Sequence, residues 1–429
     1  MPKRLAIIGA GPKAAAIAAK AAVLRRLDRA DIHVSVFEAH QPGANWSGAF
    51  GYTDGRQRLC TAAERDLGFP YDGGLFDPDV AQRMYSDFSW GTFLVTEPQN
   101  GDGPSAFSDW INRGRLPPTH REFARYIDWA LGRSGATIER GEVVGVEPHP
   151  SGQGWQVRQR RGRGQARVGP FDGVVATGPG PANGRLIAGI SEPRVTDGVR
   201  FWTNPFAFAE LAGDSEDPIV IVGAGGTAAA IAAWFVRMGS PRTLMIVGDQ
   251  AALFTRSDGF FESQIFSDDA VWQRLELSVR SEFTRRLNRG VVWATVSDEL
   301  ARSAKVRFEP GRVEQIELDQ QGELRIRYRN GEGPRDSPAS LIVDASGFDG
   351  WWFRTLLPAS LRARMEDADP DAQHAKREGL LGAMGKDFAL LSEEYGKFHA
   401  PVLSQGVGPG FSTLMVLGSL SDRILRAYR

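Results

Sequence analysis

Two glycine-rich segments have the residue types and the spacing that bind the diphosphate of a dinucleotide. They are Gly9-Ala-Gly-Pro-Lys-Ala14 and Gly223-Ala-Gly-Gly-Thr-Ala228. In each segment the first two glycines allow a tight turn close to the phosphates, and the final alanine lets a helix pack against its strand. One such loop is a weak signal. Two loops about two hundred residues apart predict two dinucleotides held together, flavin and nicotinamide, and hence redox chemistry.

The elements that must position these loops are visible on either side of them. Residues 5–8 and 219–222 are apolar runs typical of buried parallel strands, and an alanine-rich helix is predicted over Pro12–Leu27. Glu38 and Asp249 end the strands that come next, where a carboxylate binds a ribose hydroxyl. The order strand, loop, helix, strand and acid occurs twice. It predicts an α/β fold with two Rossmann-like dinucleotide-binding domains. A small helical substrate region completes the fold that we expect.

The rest of the chain predicts how these units are connected. Thr119-His-Arg-Glu122 is a capping box that opens a helix, and Arg329-Asn-Gly-Glu332 is a hairpin turn. A single helix is expected over about 269–287, with its apolar side chains in the core. We predict these domains: residues 1–212, first part of the FAD-binding domain; 213–335, NAD(P)H-binding domain with a helical substrate segment at about 259–300; 336–429, return to the FAD-binding domain and C-terminal part of the substrate site.

Composition excludes several classes of function. The formal net charge of −1 over 429 residues gives no electrostatic case for nucleic acid or for an anionic membrane. No apolar run approaches the roughly 18–20 residues of a membrane span. Cys60 is the only cysteine, so a disulfide framework, a thiolate metal cluster and a C-x-x-C redox pair are excluded. No metal site is expected. A first strand close to the N-terminus leaves no room for a signal peptide, so we expect a cytoplasmic enzyme.

Beyond the loops, the chain resembles the flavoprotein monooxygenases that bind two dinucleotides, through the turn Asp344-Ala-Ser-Gly-Phe348 and segments such as Gly51-Tyr-Thr-Asp-Gly55. Within that group it resembles the N-hydroxylating branch that acts on lysine or ornithine. It is most similar to the lysine N-hydroxylases of mycobactin and nocobactin siderophore biosynthesis. The segments that carry the resemblance are residues 9–21, 43–46, 51–55, 66–71, 108–121, 253–262, 289–296, 408–411 and 420–423.

The resemblance implies a reaction cycle with FAD, NADPH or NADH, and O2. Reduced nicotinamide passes a hydride to FAD, reduced FAD forms a flavin hydroperoxide with O2, and the side-chain amine of a free amino acid attacks the distal oxygen. The flavin carries the chemistry, so no side chain is predicted to be catalytic. The amine must be neutral, yet that of free lysine titrates near ~10.4, so the site has to lower this pKa by desolvation.

The resemblance also implies a substrate site built from a few positions. Arg65 stands where the family uses a lysine to bind the substrate carboxylate. Ser263 stands in place of an asparagine near substrate and nicotinamide, and Asn288 lies near a second amide position, where a helix C-terminal cap is an equal alternative. Ser412 lies where a serine touches flavin and substrate. Cys60 replaces a glutamine and is expected to be inert packing.

The predicted cofactor residues divide between the two loops and the segments that approach them. Trp46 is expected to lie along the flavin. Asp249 favours NADH because a carboxylate repels a 2′-phosphate, whereas Arg256 or Arg242 would hold NADPH, so we expect use of both. The full set of predicted cofactor-binding residues is Gly9, Gly11, Pro12, Ala14, Glu38, Trp46, Leu59, Thr177, Gly178, Gly223, Gly225, Gly226, Thr227, Asp249, Arg256, Gly347 and Phe411.

Several alternatives remain open from the sequence alone. L-lysine is the predicted substrate, but the departures at Arg65, Ser263 and Cys60 also leave L-ornithine or another diamino acid. A flavin reductase without an amine substrate is a second reading, and a non-catalytic nucleotide-binding scaffold is a third. A Baeyer–Villiger or dimethylaniline type of monooxygenase is disfavoured because its F-x-G-x-x-x-H signature is absent. The resemblance suggests a homo-oligomer, either a tetramer or a dimer.

Overall fold

The computed structural model describes residues 2–71, 77–97, 106–249, 254–255, 260–284 and 291–429, with backbone alone at 254–255 and 260–262. The strands are β1 (Lys3–Ile8), β2 (Ile32–Glu38), β3 (Thr137–Arg140), β4 (Glu142–Pro148), β5 (Trp155–Arg161), β6 (Gly164–Phe171), β7 (Gly173–Ala176), β8 (Val195–Asp197), β9 (Ile219–Val222), β10 (Leu244–Gly248), β11 (Phe254–Thr255), β12 (Val291–Val292), β13 (Val306–Pro310), β14 (Arg312–Leu318), β15 (Leu324–Asn330), β16 (Gly333–Pro338), β17 (Leu341–Asp344), β18 (Ala389–Glu393) and β19 (Gly396–His399). The helices are α1 (Pro12–Arg26), α2 (Pro78–Phe88), α3 (Trp90–Thr96), α4 (Ala106–Asn112), α5 (His120–Ser134), α6 (Pro205–Leu211), α7 (Gly226–Arg237), α8 (Phe260–Ser267), α9 (Asp269–Arg274), α10 (Leu277–Phe283), α11 (Ala294–Arg302), α12 (Ala359–Arg362), α13 (Pro370–Gly382) and α14 (Leu417–Arg426).

The first dinucleotide unit is built on a six-stranded sheet with the order β18-β19-β7-β1-β2-β3. β1 lies between β2 and β7 and pairs parallel with both. The first loop therefore emerges at the carboxyl edge of the sheet, where open α/β sheets bind ligands. β18 and β19 come from the C-terminal part of the chain, so the chain returns to this sheet after building the second unit.

The second unit is a five-stranded parallel sheet with the order β13-β10-β9-β17-β8. It extends past both predicted domain boundaries, because β8 precedes residue 213 and β17 follows residue 335. The reason is strand pairing: β17 pairs parallel with β8 on one side and β9 on the other. Two Rossmann-like sheets in one chain confirm the predicted fold class.

Each of these two sheets is accompanied by a three-stranded antiparallel sheet, β4-β5-β6 in the first unit and β14-β15-β16 in the second. In the second of these, Asn330 pairs with Gly333, which confirms the predicted hairpin turn. The predicted capping box is also present, since the Thr119 side chain accepts from the Glu122 backbone N–H and Glu122 accepts from the Thr119 backbone N–H at 2.7 Å.

Helix α1 is the centre of the first core. Its residues from Ala14 to Leu24 are buried, including Lys20, which forms an ion pair with Asp422 of α14. Alanine suits this position because a helix enclosed between the sheet, α5 and α14 has no room for larger side chains. Close packing on every side fixes the N-terminus of α1, and with it the first loop.

The single helix predicted over about 269–287 is wrong. The structure has two helices, α9 and α10, because Leu275 and Glu276 adopt extended backbone conformations. The break leaves the Leu275 carbonyl without a helical partner, and Arg280 Nε donates to it at 2.8 Å. Trp272 and Phe283 are buried as predicted, whereas Val279 is 48% exposed. Residues 285–287 lie outside the described residues.

No helix in the described part of the chain combines the length and the apolar character that crossing a membrane requires.

Candidate active site

A cavity of about 440 Å³ lies between the two dinucleotide loops and is lined by both. The first loop contributes Gly9 to Lys13, and the second contributes Gly226 and Thr227 at the start of α7. The two units also contact each other there. Arg237 Nη2 at the end of α7 donates to Asp54 Oδ2 at 2.6 Å, and the Tyr52 ring packs edge-on against Phe348. The cavity has the size of a small-molecule site and is reached by two dinucleotide-binding loops.

The first loop has the backbone that its glycines predict. Gly9 has a φ of +94°, and a Cβ there would stand 2.6 Å from Thr177 Oγ1. Thr177 Oγ1 itself donates to the Ile8 carbonyl at 2.7 Å, so it cannot move away without losing that bond. A Cβ at Gly11 would meet nothing within 4 Å, because Gly11 faces the open cavity.

Glu38 stands at the end of β2 and lines the cavity, as predicted. One of its carboxylate oxygens accepts from the Ala10 backbone N–H at 2.9 Å and the other from that of His40 at 2.8 Å. The carboxylate is thereby fixed beside the first loop, in the position from which it would bind a ribose hydroxyl.

A cluster of aromatic side chains forms one wall of the cavity. Trp46 packs edge-on against Tyr52, His120 and Phe123, with ring centroids 5.7, 4.8 and 5.5 Å away. His120 is neutral, since burial lowers its pKa to about 3. An uncharged aromatic wall suits the isoalloxazine ring of a flavin.

Gln57 presents a polar group to the same cavity. Its side-chain Nε2 is buried and has no hydrogen-bond partner within the described part of the chain. The residue is only 8% exposed, so water does not readily satisfy this amide. A buried donor of this kind is costly unless a ligand accepts from it. The cavity wall thus fits a flavin, which carries carbonyl, ring-nitrogen and phosphate acceptors.

Replacing Gln57 by Leu is expected to raise the dissociation constant of FAD about fivefold, the effect of losing one neutral hydrogen bond of about 1 kcal/mol. The Gln57 carbonyl, which accepts from the His120 N–H at 2.7 Å, stays in place. FAD titration of the deflavinated protein measures this, with Gln153→Leu on an exposed loop as the control. An unchanged dissociation constant in the Gln57 variant contradicts the assignment.

The structure brings two of the predicted substrate residues together. Arg65 Nη2 donates to Ser263 Oγ of α8 at 2.6 Å, and Nη1 donates to the Met415 carbonyl at 3.4 Å. Neither side chain lines the cavity itself. Thr61 lines the cavity and donates to Met415 Sδ at 3.4 Å. Because Arg65 also donates to Met415, the pair of Arg65 and Ser263 lies directly behind the cavity wall.

Ser412 and Cys60 both line the cavity. The Ser412 hydroxyl donates to the Pro409 carbonyl at 3.2 Å, and its own carbonyl accepts from Lys13 Nζ at 3.0 Å. The C-terminal segment is therefore tied to the first loop. Asn288, the remaining predicted substrate residue, lies outside the described residues.

The residues predicted to bind the second dinucleotide lie partly on the cavity and partly away from it. Gly223 has a φ of +106°, and a Cβ there would lie 2.5 Å from the Ala345 carbonyl, so this glycine lets the loop pass close to the β17 turn. Asp249 is exposed after β10. Gly223, Gly225, Asp249 and Gly347 do not line the cavity. Arg256 lies outside the described residues.

Other predicted cofactor residues also divide between the cavity and the core. Ala14 and Phe411 are buried and do not line it; Phe411 packs against Phe388 with ring centroids 5.0 Å apart. The predicted residues that line the cavity are Gly9, Gly11, Pro12, Glu38, Trp46, Leu59, Thr177, Gly178, Gly226, Thr227 and Ser412. Sequence reasoning missed Lys13, Gln57 and His120. Lys13 had a visible signal, a cation inside the glycine loop.

Two Rossmann-like units around one shared cavity define an enzyme class that binds two dinucleotides. The family described as L-lysine 6-monooxygenase/L-ornithine 5-monooxygenase matches residues 85–348 of the chain. The chain belongs to this family.

Relatives of the chain are similar over its full length. L-lysine N6-monooxygenase MbtG of Mycobacterium tuberculosis (strain CDC 1551 / Oshkosh) is 33% identical over 435 residues, covering 100% of this chain and 95% of MbtG. The structure of lysine monooxygenase NbtG from Nocardia farcinica has a TM-score of 0.79 at 29% identity and covers 99% of this chain and 100% of its own. An ornithine N-hydroxylase from Kutzneria sp. 744, described with reduced FAD, NADP+ and L-ornithine, shares the fold, with a TM-score of 0.71, 18% identity, and coverage of 100% and 99%.

Family membership confirms the predicted class of enzyme, a flavin-dependent N-hydroxylating monooxygenase that uses FAD, a nicotinamide dinucleotide and O2.

Proposed function

We propose that the chain hydroxylates the side-chain amine of L-lysine to N6-hydroxy-L-lysine, with FAD at the first loop and NADPH or NADH at the second. The observation that carries a free amino acid as the substrate is the position of Arg65, whose guanidinium lies behind the cavity wall. A guanidinium binds a carboxylate through two parallel hydrogen bonds, which is the recognition that a free amino acid needs. MbtG, similar over the whole chain, is named as an L-lysine enzyme.

The side chains of this chain bind and insulate the reactants. Bound FAD supplies the activation of O2, and the first loop, Glu38 and Gln57 are the groups that would hold it. Arg65 would bind the carboxylate of the amino acid in place of its present hydrogen bonds to Ser263 and to the Met415 carbonyl. The neutral His120 adds no positive charge to the cavity, and the aromatic wall beside it is uncharged. Desolvation favours the neutral amine, which is the form that reacts.

A panel of amino acids tests this proposal. Purified, FAD-loaded enzyme is given NADPH and then NADH with L-lysine, L-ornithine, shorter diamino acids or no amine, and hydroxylamine product is measured. We expect product with L-lysine at the highest kcat/KM. Product with L-ornithine alone would contradict the substrate and leave N-hydroxylation standing.

The biological setting of the reaction belongs to the proposal as well. We propose that the product serves siderophore biosynthesis or a related secondary-metabolite route, in the cytoplasm. A homo-oligomer, tetramer or dimer, stays a prediction, and sedimentation of the purified enzyme tests it.

A further inference from the structure

Lys13 is a cation in a place where the fold alone would not favour one. It is the second residue of α1, directly after Gly11 and Pro12, and it lines the cavity. The N-terminus of a helix carries a partial positive charge, which repels a lysine and attracts an anion. α1 has no acidic residue in its first turn to offset this repulsion.

The contacts of Lys13 leave its charge unneutralised. Its ammonium donates to the Ser412 carbonyl at 3.0 Å. Among the described residues, no carboxylate oxygen forms an ion pair with it. Glu38, the carboxylate on the cavity wall, is already bound by the Ala10 and His40 N–H groups. Burial without a counter-charge lowers the pKa of Lys13 to about 8.

A second, independent group that lines the same cavity also lacks a partner among the described residues. Gln57 Nε2 is buried and has no partner within the described residues, although it is a hydrogen-bond donor. The cavity therefore presents an unneutralised cation and an unpartnered donor to whatever fills it. An anionic ligand rich in acceptors satisfies both.

We propose that the Lys13 ammonium binds the diphosphate of the dinucleotide at the first loop. Dinucleotide loops of this type bind the diphosphate through backbone N–H groups and the helix N-terminus. Here a side-chain cation on the first turn of that helix adds a charge-assisted hydrogen bond. Because Lys13 also donates to Ser412, diphosphate binding is linked to the C-terminal segment that closes the cavity. The inference rests on the proposed binding of FAD at the first loop.

The test uses the deflavinated full-length enzyme and measures the dissociation constant of FAD, together with the inhibition constant of ADP as a competitor of FAD. We expect Lys13→Met to raise both constants about tenfold, the loss expected for a charge-assisted hydrogen bond. Lys13→Gln, which keeps a donor for the Ser412 carbonyl, should lose as much affinity, whereas Lys13→Arg should keep most of it. Lys305→Met is the matched control, since Lys305 also donates to a carbonyl, that of Pro241 at 2.7 Å, away from the cavity.

Each outcome either supports or overturns the binding of the diphosphate by Lys13. An unchanged FAD constant in both the Met and the Gln variants overturns the proposal. Weaker FAD binding with an unchanged ADP constant also overturns it, because Lys13 would then act on the flavin ring. Thermal unfolding of the deflavinated variants shows whether the fold is intact. If wild-type enzyme hydroxylates L-lysine while the Lys13 variants bind FAD normally, this inference fails and the proposed function stands; if wild-type enzyme binds no FAD, both fail.

Discussion

Replacing Arg65 by Ala is expected to raise the KM for the amino acid about 30-fold while FAD content stays that of the wild type. Loss of a charge-assisted, bidentate contact to a carboxylate removes about 2 kcal/mol of binding. FAD content is retained because Arg65 stands behind the cavity wall rather than on it. Steady-state kinetics with L-lysine, alongside the flavin absorbance of the purified protein, measure both quantities.

Two further variants test whether the change in KM comes from the Arg65 side chain itself. Arg65→Lys keeps the charge but loses the second hydrogen bond, so its KM should lie between those of the wild type and the Ala variant. Arg56→Ala removes an exposed arginine nine positions away and should change neither quantity. An unchanged KM in Arg65→Ala would remove this residue from the substrate site and reduce it to a partner that holds Ser263 in place.

Replacing Gly9 by Ala is expected to weaken FAD binding at least about 100-fold, so that the enzyme is purified without flavin. Two costs act together. The φ of +94° is unfavourable for a residue with a Cβ, and that Cβ would lie 2.6 Å from Thr177 Oγ1. Relief of the clash requires the loop to move where the diphosphate is predicted to bind. Flavin absorbance per protein, followed by FAD titration, measures the loss.

The control for this variant is Gly189→Ala. Gly189 also has a positive φ, +80°, but a Cβ there meets nothing within 4 Å, and the residue lies away from the cavity. Comparing Gly9→Ala with Gly189→Ala therefore separates the effect of backbone strain from the effect of obstructing the loop. Gly9→Ala enzyme that retains one flavin per chain contradicts the placement of FAD at this loop.

Local patterns predict the first loop, because a dinucleotide loop is specified by adjacent residues. Gly9 and Glu38 needed only their neighbours to be recognised, and both lie on the cavity. The pairing of Arg65 with Ser263 joins residues far apart in the chain and was available only through family resemblance. Gln57 was missed because nothing in its neighbours shows that its amide is buried without a partner.

The error over 269–287 has the same origin. The apolar spacing over 269–287 fits a helix, but the break at Leu275 depends on how Arg280 folds back on the freed carbonyls. The second sheet exceeds the predicted 213–335 range because β8 and β17 join it by long-range pairing. Such pairings are decided by tertiary packing, which local periodicity does not report.

The ratio of hydroxylamine formed to NADPH oxidised, measured with saturating L-lysine and O2, tests the central claim most directly. We expect a ratio close to one, with little peroxide released, and a fall in product when L-lysine is left out. Oxidation of NADPH that ends in an equal amount of peroxide, with or without L-lysine, would contradict it and would mean that the chain acts as a reductase or oxidase.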